Sequence, residues 1–314
     1  MTATTINSKH SQLGLASRLI NGILAIKPLA NLAKHQARKM MIDRAERIGV
    51  PWRQEAAALR DRDLASERSQ VENSQLVYPN YYLTSFHAYE SGNLSWEAAT
   101  EVEVAARAVH AGIWPEAGSQ GDARLRQSFL DVLHTQISTP PQDILDLGCS
   151  VGMSTFALQQ QYPQACCTGV DLSPYFLAVA HLRSQQKQAE LAHTITWIHA
   201  AAESTGLPDA SFDLVSLFLV CHELPQTATR QILQEARRVL RPNGHLAIME
   251  MNPQSDVYAQ MPPYILTLLK STEPYLDEYF ALDLAGEIEQ AGFHPPTMMN
   301  NSPRHRTVVA AVRS

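Results

Sequence analysis

The segment ILDLGCSVGMST, residues 144–155, places a carboxylate, Asp146, ahead of two glycines, Gly148 and Gly152, where an apolar run gives way to a helical one. Glycines at such a turn let the backbone come close to a ligand. The helix that starts near Met153 offers free N–H groups and a positive dipole end to an anionic group. A second carboxylate, Asp171, ends the next apolar run in GVDLS. There it can accept both hydroxyls of a ribose, although alone it could merely cap the helix that follows. A negative charge ahead of the glycines would repel a pyrophosphate and attract an ammonium group. Together the two acids ask for a ligand with a ribose and a cationic group, which describes S-adenosylmethionine (SAM). A nicotinamide dinucleotide fits less well, because the GxGxxG spacing is missing.

These residues need a scaffold that delivers strand ends to one edge. From residue 142 onward the chain alternates between strand and helix patterns. DILDLGC, ACCTGVDL, TITWIHA, FDLVSLFLV and HLAIMEM read as strands, with helical STFALQQQY, PYFLAVAHLRSQQKQ and TATRQILQEARRVL between them. Such alternation predicts an α/β fold of Rossmann-like type, with a largely parallel sheet and helices on both faces. Two closely spaced strands near PTMMNN and RTVVAAVRS predict a hairpin, hence an antiparallel last strand in a sheet of seven. Between them and the fifth strand, an irregular Pro-punctuated insert follows residue 253, and then a helix, DLAGEIEQAGF.

Residues 1–130 read as a mainly helical extension, and 131–314 as the α/β domain. Helical patterns cover 11–47, with Pro28 interrupting or restarting them, and 52–75. No acidic residue occurs before Asp43, and residues 13–26 carry an apolar helical face. Three readings of this start stand together: a helical cap, a basic amphipathic element on an anionic membrane, or a targeting segment. Residues 76–96 hold an aromatic cluster of Tyr78, Tyr81, Tyr82, Phe86, Tyr89 and Trp96, which can be core or substrate pocket. The 314 residues are 45% hydrophobic and 18% charged, enough for a large core. A net charge of -6 argues against nucleic acid as a partner. The four cysteines make no CxxC pair or zinc spacing and suit a reducing cytoplasm. No apolar run approaches the ~18 residues of a membrane span, and the N-terminus lacks a clear signal-peptide core.

The stretches ILDLGCSVGMST, TGVDLSPYFLAVA, AAESTGLPDASFDLVSLFLVCHELP and EARRVLRPNGHLAIMEM follow in order over residues 142–252. They resemble the class I SAM-dependent methyltransferases, most of all the small-molecule group that includes the ubiquinone and menaquinone C-methyltransferases. The resemblance weakens toward residue 314 and leaves 1–130 unexplained. It implies that Asp146, Gly148, Cys149, Ser150 and Gly152 wrap the methionine half of the cofactor. Asp171 would bind the ribose, Leu172 would pack on the adenine, and Ala202 and Glu203 would line its edge. Leu219 and Val220 would lie under the sulfonium, with Cys221, His222 and Glu223 on the substrate side. Ser150 and Asn243 stand where the family favours glycine. Ala201 stands where it often has aspartate, so Glu203 or a backbone carbonyl would have to take the adenine amino group.

Methyl transfer is an in-line displacement at a sulfonium carbon, so the protein chiefly aligns nucleophile and methyl. A phenol, hydroxyl or activated carbon also needs a base of near-neutral pKa. His222 and His87 are the candidates, while His110 and His134 read as surface or satisfied polar residues. Tyr82, Phe86, Tyr89 and Glu250, the last read as lying just past strand 5, are candidate substrate contacts. Asp213 is expected to end a turn. Segments 78–96 and 253–280 are placed to close as a lid. No metal site is implied by the spacing of histidines and acids. The expected function is SAM-dependent methyl transfer to a small lipophilic acceptor: a quinone, phenol, isoprenoid or lipid-like molecule. The alternatives are a non-catalytic SAM-binding protein, which the Ala201 departure keeps open, and an NAD-dependent dehydrogenase.

Overall fold

The structure, a computed structural model, describes residues 27–84, 89 and 91–313. The apolar face at 13–26 therefore lies outside the described residues. Four helices lead the chain: α1 Lys27–Arg47, α2 Trp52–Arg60, α3 Leu64–Val71 and α4 Trp96–His110. Pro28 falls in the first turn of α1, where a missing N–H leaves no hydrogen bond unmade. Asp63 and Ser95 cap α3 and α4 through backbone N–H groups at 3.1 and 3.2 Å. Next comes α5, Gly121–Gln136.

Strand–helix alternation follows: β1 Asp143–Leu147, α6 Met153–Gln161, β2 Cys166–Asp171, α7 Pro174–Lys187, β3 Thr196–His199, β4 Phe212–Phe218, α8 Gln226–Val239 and β5 Leu240–Met251. The insert is not irregular. Pro262 and Pro263 start a helix and Pro253 and Pro274 lie in turns ahead of helices, and the insert folds as α9 Asp256–Ala259, α10 Pro263–Thr272 and α11 Leu276–Ala281. The chain ends with α12 Leu284–Gln290, β6 Thr297–Asn300 and β7 His305–Ala311.

The sheet has seven strands in the order β3-β2-β1-β4-β5-β7-β6. Strands β1 to β5 pair in parallel, and β7 runs antiparallel to both β5 and β6, as the closing hairpin predicts. The central strands are buried on both faces, which is why they read as unbroken apolar runs. On one face Ile232, Leu233 and Ala236 of α8 pack with Leu284 and Ile288 of α12. On the other, Leu125, Phe129 and Leu133 of α5 pack with Leu158 of α6 and Leu177 of α7. Residue 130, the division expected, falls within α5.

The extension has a small core of its own, Ala45, Val50, Trp52, Ala56, Val104 and Ala108, shared by α1, α2 and α4. Glu101 of α4 is buried inside it and receives Arg38, Arg60 and the Tyr89 hydroxyl. The extension meets the α/β layer where Leu64 of α3 packs with Phe176 and Val179 of α7. Among the described residues, no helix is long and apolar enough to cross a membrane.

Candidate functional site

The loop between β1 and α6 is forced into shape by three residues of positive φ: Gly148 at 71°, Ser150 at 51° and Gly152 at 84°. A Cβ on Gly148 would meet Val220 Cγ2 at 2.7 Å, and one on Gly152 would meet Trp197 at 2.6 Å. Neither position can carry a side chain without displacing its neighbour. Ser150 takes the left-handed conformation that a glycine would take more cheaply. Its N–H donates to Asp171 Oδ2 at 2.8 Å. Gly148 and Cys149 N–H both donate to the Val170 carbonyl, so the loop is clamped to the end of β2.

Asp171 is the hinge of this arrangement. Oδ1 also accepts from Ser173 N–H at 2.7 Å, and the Tyr82 hydroxyl lies 3.5 Å away. Ser173, not Asp171, caps α7 through Phe176 N–H, and Asp171 holds that cap residue while forming part of the cavity wall. Burial pushes its carboxyl up to about 6, against the N–H bonds from Ser173 and Ser150.

Beside the loop opens a cavity of about 580 Å3. Of the expected cofactor residues, Gly148, Cys149, Ser150, Asp171, Leu172, Ala202 and Leu219 line it, and so does Val220. Leu219 has φ 59°, a costly conformation for a branched side chain at the end of β4, held by its N–H bond to the Met249 carbonyl at 2.8 Å. Asp146 and Gly152 are not in the wall. Asp146 lies beneath the loop, 0% exposed, where Oδ2 accepts from the Thr155 hydroxyl at 2.6 Å and Oδ1 has no hydrogen bond. Burial raises its carboxyl to about 6. Its local task is to tie α6 to β1 through Thr155. Glu203 stands just outside the wall; Oε1 accepts from the Tyr81 hydroxyl at 2.8 Å, and Oε2 is buried without a partner.

The expected substrate residues separate. Tyr82 and Tyr89 line the cavity with Tyr81, so these rings are at once packed and part of the pocket wall. Phe86 and His87 lie outside the described residues. His222 and Glu223 line the cavity, whereas Cys221 is buried behind it. Glu250 does not follow β5 but sits within it, 0% exposed and behind His222. Its carboxylate accepts from His222 Nδ1 at 2.9 Å and from the His222 backbone N–H at 3.1 Å. Burial alone would lower the His222 pKa; Glu250, with Glu273 and Glu223, outweighs it and raises the value to about 10. The carboxylates around His222 thus favour its protonated form. His222, Glu223 and Glu273 bring ligand-type atoms within 4.8 Å of one another. Local spacing could not show this, since Glu273 arrives from the insert.

Two cavity residues stand out only in the structure. Arg126 of α5 lies 4.4 Å over the Phe218 ring and donates to Ser154 Oγ in the first turn of α6 at 2.5 Å. It thereby brings a cation to the helix N-terminus. His110, read as a surface or satisfied polar residue, shares a 2.7 Å hydrogen bond through Nδ1 with Asp122, which Arg126 also holds. Burial lowers the His110 pKa, more than Asp122 raises it. Burial works against the Asp122 carboxylate too, yet Arg126 and His110 keep it well below the usual range. The pair is a neutral imidazole on an ionised carboxylate, so Nδ1 carries the proton and Nε2 the lone pair. Gly121 makes the approach possible, since a Cβ there would stand 2.3 Å from the His110 carbonyl oxygen. Asp213, as expected, organises a turn, accepting from Gln142 and Asp143 N–H and from Arg241.

Residues 145–248 match the methyltransferase domain family. An uncharacterized methyltransferase of Synechocystis is 30% identical over 173 residues, which are 55% of this chain and 75% of that protein. A malonyl-[acyl-carrier protein] O-methyltransferase of Hahella chejuensis is 38% identical over 106 residues, 34% of this chain and 35% of its own length. A demethylmenaquinone methyltransferase of Thermus thermophilus is 28% identical over 132 residues, 42% of this chain and 56% of its own. The chain thus spans about half or less of the length of the last two, and the matches extend to relatives with different acceptors. The seven-stranded order, the clamped glycine loop and the match across three quarters of the Synechocystis protein lead to one assignment: the chain belongs to the class I SAM-dependent methyltransferases.

Proposed function

We propose that the protein transfers a methyl group from SAM to a small lipophilic acceptor, of quinone, phenol, isoprenoid or lipid-like character. One observation carries this reading. One cavity is lined both by the glycine loop and by Met251, Met261, Ile265 and Leu269. A cofactor at the loop would meet an apolar partner in the same enclosure.

The residues present suit the cofactor. Asp171, ionised, accepts the ribose hydroxyls while Ser150 and Ser173 hold it in place. The unpartnered Oε2 of Glu203 serves the adenine amino group in place of the aspartate lost at Ala201. Arg126 and the N-terminus of α6 receive the carboxylate of the methionine half. Asp146 reaches that half only through its field, from beneath the loop. Bound there, SAM supplies an electrophilic methyl on a thioether leaving group. Leu219 and Val220 shape the floor under it. His110, with its free Nε2 and its orienting Asp122, is the cavity group able to take a proton from the acceptor, and His222 donates rather than accepts.

The protein works in the cytoplasm on this reading, and the extension touches an anionic membrane to collect the acceptor. In support, none of the four cysteines is paired and Cys166 is exposed, which suits a reducing compartment. Calorimetry with SAM, followed by transfer of labelled methyl from SAM to a lipid extract, tests the function. SAM should bind and raise the melting temperature where NAD does not. Label that stays on SAM in every extract fraction would defeat the proposal.

A further inference from the structure

Arg304 stands at the turn before β7, where its carbonyl accepts from Asn252 N–H at 2.8 Å. Its side chain is half-buried and forms part of the cavity wall. Three arginines line that wall among the described residues. Arg38 is paired with Glu97 and Glu101, and Arg126 with Asp122. Arg304 has no carboxylate partner among the described residues. Its Nη2 makes one long bond to the Val109 carbonyl, at 3.4 Å, and its Nε is buried with no partner.

A second unpaired cation stands beside it. Arg44 of α1 forms no ion pair among the described residues and lays its guanidinium over Gly112. A Cβ on Gly112 would be 2.9 Å from Arg44 Nη2 and 3.6 Å from the Val109 carbonyl oxygen, the atom that Arg304 also reaches. Two guanidinium groups thus converge on the end of α4. Two like charges directed at one helix end, one of them partly desolvated, favour a shared anion. Burial and the charge of Arg44 both act to lower the Arg304 pKa, in accord with that crowding. The wall next to Arg304 carries Tyr258 and His305, and beyond them the apolar residues of β5 and the insert.

We propose that Arg304 and Arg44 form an oxyanion subsite, and that the methyl acceptor is an amphiphile whose carboxylate or phosphate head binds there with its apolar body along Met251, Met261, Ile265 and Leu269. This rests on the reading of the cavity as the acceptor site. It narrows the acceptor from lipophilic to anionic and lipophilic.

The test is calorimetric titration of decanoate, decyl phosphate and decanol into protein saturated with S-adenosylhomocysteine. At least one anion should bind about tenfold or more tighter than decanol, a difference of about 1.4 kcal/mol. Whichever of decanoate and decyl phosphate is preferred identifies the head group. Arg304→Gln should bring both anions down to the decanol level and leave the affinities for decanol and S-adenosylhomocysteine unchanged. Arg44 is exposed, so Arg44→Gln keeps the fold and should weaken the anions about threefold. Decanol binding as tightly as both anions, no saturable binding of either anion, or a preference that survives in Arg304→Gln would each overturn the proposal. Failure of S-adenosylhomocysteine to bind would instead count against the methyltransferase reading, and the same three titrations without it would still decide the subsite.

Discussion

The two halves of the cavity are built by different means. The cofactor half rests on backbone: three positive-φ residues, N–H bonds to the Val170 carbonyl, and one carboxylate that collects the N–H groups of Ser150 and Ser173. These features lie between Gly148 and Ser173. The rest of the cavity and its surroundings rest on side chains from distant segments. Glu101 of α4 holds Arg38 and Arg60, Asp122 holds His110 and Arg126, and Glu250 of β5 holds His222. A site made of backbone tolerates almost any side chain except where a Cβ would clash. A site made of buried ion pairs tolerates few changes at its pairs, but the apolar residues between them can vary with the acceptor.

The contrast is tested first at Asp171. Replacement by alanine should remove two ribose hydrogen bonds to a charged acceptor, together about 3–6 kcal/mol, so SAM affinity should fall by more than about 100-fold. Because Ser150 and Ser173 N–H lose their acceptor as well, the melting temperature should drop in the same variant. Unchanged affinity by calorimetry would rule out the assigned cofactor half.

Glu250→Gln addresses the other half. Breaking a buried pair costs about 3–5 kcal/mol, seen in denaturant unfolding, while SAM affinity should change little. With the His222 value raised from 6.5 to about 10, the pair's contribution to stability is full below 6.5 and is lost as pH rises toward 10. Wild-type unfolding curves should show that loss, and Glu250→Gln should not. Equal slopes in the two proteins would mean that Glu250 does not hold the proton on His222.

Tyr82 belongs to both halves, as a buried ring and as a neighbour of Asp171. Tyr82→Ala should cost about 2–5 kcal/mol of stability. Tyr82→Phe keeps the ring and removes the hydroxyl's hydrogen bonds, to Asp171 at 3.5 Å and to Asn93, so it should cost about 0.5–1.5 kcal/mol, less than the alanine variant. A phenylalanine variant that melts as early as the alanine variant would place the hydroxyl, not the ring, at the centre of the packing.

A smaller effect follows from the raised carboxyls. Asp171 and Asp146 both stand near 6 in the folded chain against 3.8 without it. The unfolded chain therefore releases these protons first, and their contribution to stability falls as pH rises between about 4 and 6. SAM binding needs Asp171 ionised, so its affinity should rise over the same interval. The smallest expected change is at Ser150, whose φ of 51° suits glycine. Ser150→Gly should raise stability by about 1 kcal/mol or less in thermal unfolding, with SAM affinity retained.

The strands and the glycine loop were legible because their determinants are local. Period-two apolar runs identify the strands, and glycine marks positive φ. An acid at a strand end then predicts a hydroxyl or cationic ligand, whatever the rest of the chain does. The same logic misplaced Asp146, which follows the pattern yet is covered by the loop it holds. Strand-end position by itself does not say whether a side chain points up or under. The insert was misread because prolines punctuate both loops and helix starts, and only the packing of Leu276 and Tyr279 into the core decides between them.

The amino-acid sequence alone determined the sheet, its antiparallel last strand, the glycine loop and the family, since each depends on residues close together in the chain. Tertiary structure decided the charge states and the acceptor wall. Glu250 and Glu273 reach His222 from other elements and help raise its pKa to about 10, and burial lowers that of His110 although Asp122 acts to raise it. Arg304 is an unpaired cation because no described carboxylate reaches it across the fold. Desolvation and Coulomb energy depend on distance in space, and sequence separation carries no record of that distance.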